Sequence, residues 1–275
     1  MEEDIQDRVE TILVEQRFKK PKRSETFVNE KRIGIMKVSP TNTIESQDFH
    51  NAWSEAIKFV LRKDHEIFFG DKKEPKLAMD SCQKIILTGN AIKQIENREI
   101  HPKYPFKMIN QYCEEFTREY LEKYINKPEQ EKFEYLYFER LARYNKIDQI
   151  GILKDGLEEQ IKTNIYSNRS QAITWIPSKD AGSTYPPCLQ RIWVRYAGEY
   201  TVDVHWDFRS RDLYNAWVSN IIALVDMLNR EVVKPNNCKI ERIIDDNDSL
   251  HIMQGDWEKA REVEYLPVNP MLMGR

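Results

Sequence analysis

A mixed α/β fold is the architecture this sequence predicts, and three features predict it. Strand-like alternating runs and amphipathic helical runs succeed one another along the chain. No βαβ unit repeats and no glycine-rich phosphate loop is found, so a doubly wound sheet is not expected. Residues 191–196 and 200–206 alternate about Ala197-Gly198-Glu199 and read as a β-hairpin.

The elements follow in order. Residues 33–38 alternate and read as a strand. Ser46 precedes Phe49, Trp53, Ile57, Phe59 and Val60, an amphipathic helix with a Ser/Asp start. Residues 84–88 read as a short strand, and 101–106 as a proline-punctuated loop. Residues 108–124 read as one helix, with Ile109, Tyr112, Phe116, Tyr120 and Leu121 on one face. Residues 133–141 read as a helix or a strand edge. Asp148 stands near the cap of a helix reaching Asn164, which Gly151 and Gly156 weaken. A strand over 172–176 and a small, polar loop over 177–185 precede the hairpin. Residues 213–232 read as a long helix with Trp217, Ile221, Leu224, Val225 and Leu228 on its core side. A strand over 240–244 follows, and the tail over 258–275 reads as irregular.

With 275 residues, 40% hydrophobic and 32% charged, the chain can bury one large core. No linker-like stretch breaks its middle, so one domain over 1–275 is expected, with 1–30 as a charged, solvated arm. The net charge of -3 gives no global basic field, which argues against nucleic acid as a partner. An anionic substrate would need a local arginine cluster. Cys82, Cys113, Cys188 and Cys238 are scattered, without a CxxC pair or histidines at metal-ligand spacing, so no metal site is expected. Any one of them also fits as a small buried hydrophobe. The acidic start lacks a signal-peptide core, and the longest apolar runs are too short to span a membrane. A reducing cytoplasm with free thiols is the expected setting.

Chemistry concentrates between Ser167 and Asn220. Tyr185-Pro186-Pro187-Cys188-Leu189-Gln190 sets a cysteine behind two prolines. Asp207-Phe208-Arg209-Ser210-Arg211-Asp212 follows, and Asn220 lies one helix further on. A thiolate is a strong nucleophile, and a guanidinium beside a cysteine favours it while offering a fork to an anionic group. Taken singly, Asp212 also fits as a helix cap, His251 as a core histidine and Arg209 as half of a surface ion pair.

These residues resemble the thymidylate synthase family, in particular its archaeal-type branch and pyrimidine hydroxymethylase relatives. The carriers are Ser167-Asn168-Arg169, Gln171-Ala172-Ile173-Thr174-Trp175, Pro186-Pro187-Cys188-Leu189-Gln190, Arg209-Ser210-Arg211-Asp212, Asn220 and Asp248-Ser249-Leu250-His251-Ile252. The likeness runs from about residue 133 to residue 257. It implies a large mixed, twisted sheet with helices on one face and a homodimer through the other. It implies methylation of dUMP to dTMP, with 5,10-methylenetetrahydrofolate or a modified pterin analogue as co-substrate. Cys188 would be the nucleophile, with Arg209 beside it contacting the phosphate. Ser210 would bind phosphate, Gln190 would belong to the nucleotide-binding set, Asn220 would read the uracil edge and His251 would contact the sugar. Asp212 would accept from the pterin, and Arg169 would reach the phosphate of the partner subunit. Tyr137 and Glu139 either enter the pocket, as a similar family segment ending in Glu-Arg-Leu suggests, or Glu139 and Arg140 form a structural pair.

Three positions depart from the family. Asn168 stands where a first arginine is usual, Met253 where a sugar-binding tyrosine is usual, and 267–275 lack the recognisable closing segment. The alternatives are a pyrimidine-nucleotide hydroxymethylase acting on dUMP, dCMP or CMP, and a nucleotide-binding homologue without turnover. Cytosine-specific relatives often carry aspartate where this chain has Asn220, so Asn220 favours uracil.

Overall fold

The computed structural model describes residues 39–62, 65–69 and 75–265. The strand expected over 33–38, the arm over 1–30 and residues 266–275 lie outside the described residues. Every described residue belongs to one compact unit, Val38–Arg275.

The described chain forms an eight-stranded mixed sheet of β1 (Thr41–Ser46), β2 (Glu66–Phe69), β3 (Lys76–Thr88), β4 (Gln171–Ile173), β5 (Leu189–Gly198), β6 (Thr201–Phe208), β7 (Arg211–Asp212) and β8 (Lys239–Met253). The order is β1-β3-β8-β6-β5-β4, with β2 on β3 and β7 on β8. The β1/β3, β6/β8 and β7/β8 pairs are parallel and the rest antiparallel.

The helices are α1 (Phe49–Val60), α2 (Asn90–Glu96), α3 (Ile109–Glu114), α4 (Arg118–Ile125), α5 (Tyr137–Ala142), α6 (Gln149–Thr163), α7 (Pro177–Asp180), α8 (Trp217–Leu228) and α9 (Trp257–Arg261). Asp48 and Asp148 cap α1 and α6 by accepting from Asn51 N and Gly151 N, at 2.8 and 3.0 Å. Helices and sheet share one hydrophobic cluster, which holds the fully buried Trp53, Trp206 and Trp217. Truncating one such ring typically costs about 3–5 kcal/mol.

Several expected boundaries are corrected. The single helix over 108–124 breaks at Thr117, whose hydroxyl accepts from Tyr120 N and donates to Glu114 O, ending α3 and capping α4. The short strands over 84–88 and 240–244 are the ends of the long β3 and β8. Strand 172–176 stops at Ile173, because the Thr174 side chain donates to Leu189 O and Pro177 opens α7. The long helix begins at Trp217, since Asp212 holds a turn through Asn215, and it ends in a π-helical turn, Asn229–Val233. The first part of the tail is the helix α9. In the hairpin, Gly198 pairs with Thr201, so Glu199 and Tyr200 form the two-residue loop, at φ 48° and 55°.

Candidate active site

Sheet register brings the candidate groups together. Leu189 pairs with Phe208 at the open end of the β5–β6 hairpin. Cys188 and Arg209 are the next residues out on each strand, joined by Arg209 N donating to Cys188 O at 3.0 Å. The Arg209 side chain folds back over this turn. Its Nε donates to Pro187 O at 2.9 Å, its Nη2 to Pro186 O at 2.6 Å, and Nη2 lies 3.8 Å from Cys188 Sγ. The two prolines fix the carbonyls that hold the guanidinium, so it is no surface ion pair. Its Nη1 has no partner among the described residues. Gln190 Nε2 ties down the same turn by donating to Pro187 O at 2.7 Å.

Behind this end lies the most deeply buried ion pair in the described structure. Arg211 Nη2 donates to Asp245 Oδ1 at 2.7 Å, with the two side chains 1% and 0% exposed. Asp245 also accepts from Trp206 Nε1 at 2.5 Å, Trp217 Nε1 at 2.7 Å and Asn247 Nδ2 at 2.9 Å. The Arg211 guanidinium lies 3.4 Å from the centre of the Phe208 ring. The network anchors β7, and β7 sets Asp212 opposite His251 in β8. His251 also pairs in register with Asp80 of β3. Burial pushes the His251 imidazole below its usual range, against the pull of Asp212 and Asp80. Asp212 accepts from Asn215 N at 2.8 Å and from Asn215 Nδ2 at 2.9 Å, so it does act as a turn cap. A carboxylate offers about four lone-pair positions, which leaves acceptor capacity.

An aromatic cleft of about 450 Å³ adjoins Cys188, lined by Tyr112, Glu115, Phe116, Phe133, Tyr135, Tyr137 and Tyr185, among others. Tyr137 Oη accepts from Leu189 N at 3.3 Å, directly beside Cys188. Burial, with Cys188 adding to it, pushes the phenols of Tyr135 and Tyr137 above their usual range. Glu115 is also raised by burial. At the start of α8, Asn220 is 8% exposed and donates from Nδ2 to Tyr112 Oη at 2.8 Å. Tyr104 holds this helix start, donating to Asn215 O and accepting from Ser219 N.

Glu139 lines a neighbouring cavity of about 260 Å³. The alternative of a structural Glu139–Arg140 pair is corrected: Arg140 makes a buried two-pronged bond to Asp180, at 2.9 and 3.2 Å. Ser210 is half-buried without a hydrogen bond among the described residues. Arg169 is exposed in the loop after α6, and only its backbone is bonded there. Tyr112, Tyr135 and Glu115 were missed as site residues. Tyr112 lies on an aromatic helix face that reads equally as core, and neither Tyr135 nor Glu115 stands in a pattern that marks a site.

The four cysteines are free. Among the described residues no cluster of His, Cys, Asp or Glu could hold a metal ion, and no helix is long and apolar enough to cross a membrane.

No family model matches the chain. Curated relatives that match the chain carry the name "Putative thymidylate synthase". That of Methanopyrus kandleri is 36% identical over 97 residues, covering 35% of this chain and 44% of the relative. That of Methanosarcina barkeri is 30% identical over 153 residues, covering 54% of this chain and 67% of the relative. The chain thus spans less than half the length of the first and about two thirds of the second. The crystal structure of thymidylate synthase from T4 phage superposes with a TM-score of 0.58 at 15% identity, covering 79% of this chain and 82% of that one, and shows the same fold. Given the identity and coverage of the Methanosarcina barkeri relative, this chain belongs to the thymidylate synthase family.

Proposed function

We propose that this chain methylates dUMP at carbon 5 to give dTMP, with 5,10-methylenetetrahydrofolate as co-substrate. The observation that carries the reading is the meeting of Cys188 and Arg209 at one hairpin end, 3.8 Å apart. Carbon 5 of uracil is too weak a nucleophile to accept a one-carbon unit. Addition of the Cys188 sulfur to carbon 6 makes the ring an enolate whose carbon 5 is nucleophilic. Arg209 is held rigidly by two carbonyls and keeps Nη1 for a phosphate oxygen, with Ser210 beside it in sequence. His251 is disfavoured as a cation by burial, which suits a neutral contact to a sugar hydroxyl. Phenols raised by burial stay protonated, so Tyr135 and Tyr137 keep donors at the cleft.

The residues present fit a reduced pterin. Asp212 retains acceptor capacity beyond its two bonds from Asn215, and the cleft offers aromatic faces for a flat ring. When bound, the folate supplies the one-carbon unit and the electrons that reduce it.

A homodimer with Arg169 serving the partner's site completes the reading. It is supported by the exposed Arg169 and by the sheet face turned from the core, where Ile86, Trp193, His205 and Ile244 are only partly buried. A cytoplasmic location accords with the four free thiols.

The test is incubation with dUMP, dCMP, UMP or CMP plus 5,10-methylenetetrahydrofolate, with products resolved by mass. Conversion of dUMP to dTMP is expected. A hydroxymethyl product, heavier than the methyl product by one oxygen, would mark a hydroxymethylase, and no product at all would remove the catalytic reading.

A further inference from the structure

We infer that Tyr112 is a specificity-determining residue: it fixes the orientation of the Asn220 amide and offers its own hydroxyl proton to a carbonyl at position 4 of a pyrimidine. The inference rests on the nucleotide reading above and deepens it. Tyr112 lines the cleft, and the mostly buried Asn220 is bonded to its phenol oxygen.

The ring of Tyr112 has little freedom. Phe106 meets it edge-on at 6.2 Å and 90°, and Phe116 at 5.4 Å and 75°. A phenol carries one proton and two lone pairs. Accepting from Asn220 Nδ2 uses one lone pair and leaves the proton to be donated elsewhere. No described protein group accepts it, and no described donor reaches Asn220 Oδ1. Burial drives the phenol far above its usual range, with Glu115 adding to the effect, so the proton stays on. The pair therefore presents a donor from Tyr112 beside an acceptor from Asn220. Uracil offers the complement, an oxygen at position 4 beside a protonated N3. Cytosine offers the reverse, an amino group beside a bare N3.

The experiment is calorimetric binding to the full chain and its Tyr112→Phe variant. The ligands are dUMP, dCMP and the deoxynucleotide of 2-pyrimidinone, which lacks any group at position 4. Wild type should prefer dUMP over each of the others by about tenfold or more, because a site built around polar groups rejects an analogue that leaves them unpaired. Tyr112→Phe should reduce both ratios to within about threefold. A loss of packing alone would weaken all three ligands together, so the ratios report the role. Unchanged ratios in the variant would overturn the inference. So would equal wild-type affinity for dUMP and the 2-pyrimidinone nucleotide, a comparison that holds whether or not the variant folds. Failure of wild type to bind any of the three would instead remove the nucleotide reading, and this inference with it.

Discussion

Replacing Asp245 by asparagine tests the frame beneath the site. The Asp245 carboxylate is fully buried and takes donors on both oxygens. Oδ1 accepts from Trp206 Nε1 and Arg211 Nη2, and Oδ2 from Trp217 Nε1, Asn247 Nδ2 and Arg211 Nη1. An asparagine must place its NH₂ against one of these sets, and each contains an indole N–H. No amide orientation therefore satisfies both tryptophans. The substitution also strands the buried Arg211 charge. Breaking one side of a buried pair costs about 3–5 kcal/mol, against a total stability of about 5–15 kcal/mol. With a urea m-value of about 2–3 kcal/mol/M, the unfolding midpoint should fall by about 1–2.5 M. Trp206 and Trp217 touch the altered group, so intrinsic fluorescence follows the transition. The double variant Asp245→Asn/Arg211→Met should recover part of the loss, because no buried cation remains. A midpoint drop below about 0.4 M at unchanged m would show that the network does not stabilise the fold as argued.

Three further outcomes are expected. Mixing folded, inactive Cys188→Ala with inactive Arg169→Ala should give heterodimers with partial activity; verified heterodimers without any would show that Arg169 does not act across an interface. Glu115 is raised by burial, so the folded state binds more protons and loses stability as pH rises from about 4.3 through the folded value. Glu115→Gln should then have a higher Tm than wild type at pH 7.5, with the gain gone at pH 4, and a lower Tm at pH 7.5 would contradict this. Burial lowers His101, His205 and His251, so below about pH 6.5 the unfolded chain binds more protons. In Glu115→Gln, where the opposing carboxyl is absent, urea midpoints should fall from pH 7.5 to 5.5, and a flat or rising profile would rule out this linkage.

Local signals were legible where chemistry is local. The hairpin, the Asp48 and Asp148 caps and the apolar face of α1 all rest on spacing within a few residues. Strands β3 and β8 were read too short because Asp80, Gln83, Asp245 and Asn247 interrupt the apolar alternation. Those side chains are buried and bonded to distant groups, which single-sequence periodicity does not see. At the site, Cys188 and Arg209 could be matched because each flanks a recognisable strand end. Tyr112 could not, since it meets Asn220 only through tertiary packing of α3 on α8. Arg140 shows the same limit: its neighbour in sequence is Glu139, but its partner is Asp180.

The most direct test of the nucleophile follows the hydrogen on carbon 5 of dUMP. With dUMP labelled there and 5,10-methylenetetrahydrofolate present, addition of Cys188 at carbon 6 should lead to release of the label to water in step with dTMP formation. Cys188→Ser should bind dUMP as wild type does and release none. Label release and dTMP formation by Cys188→Ser at the wild-type rate, or no release by wild type, would contradict the assignment of Cys188 as the attacking group.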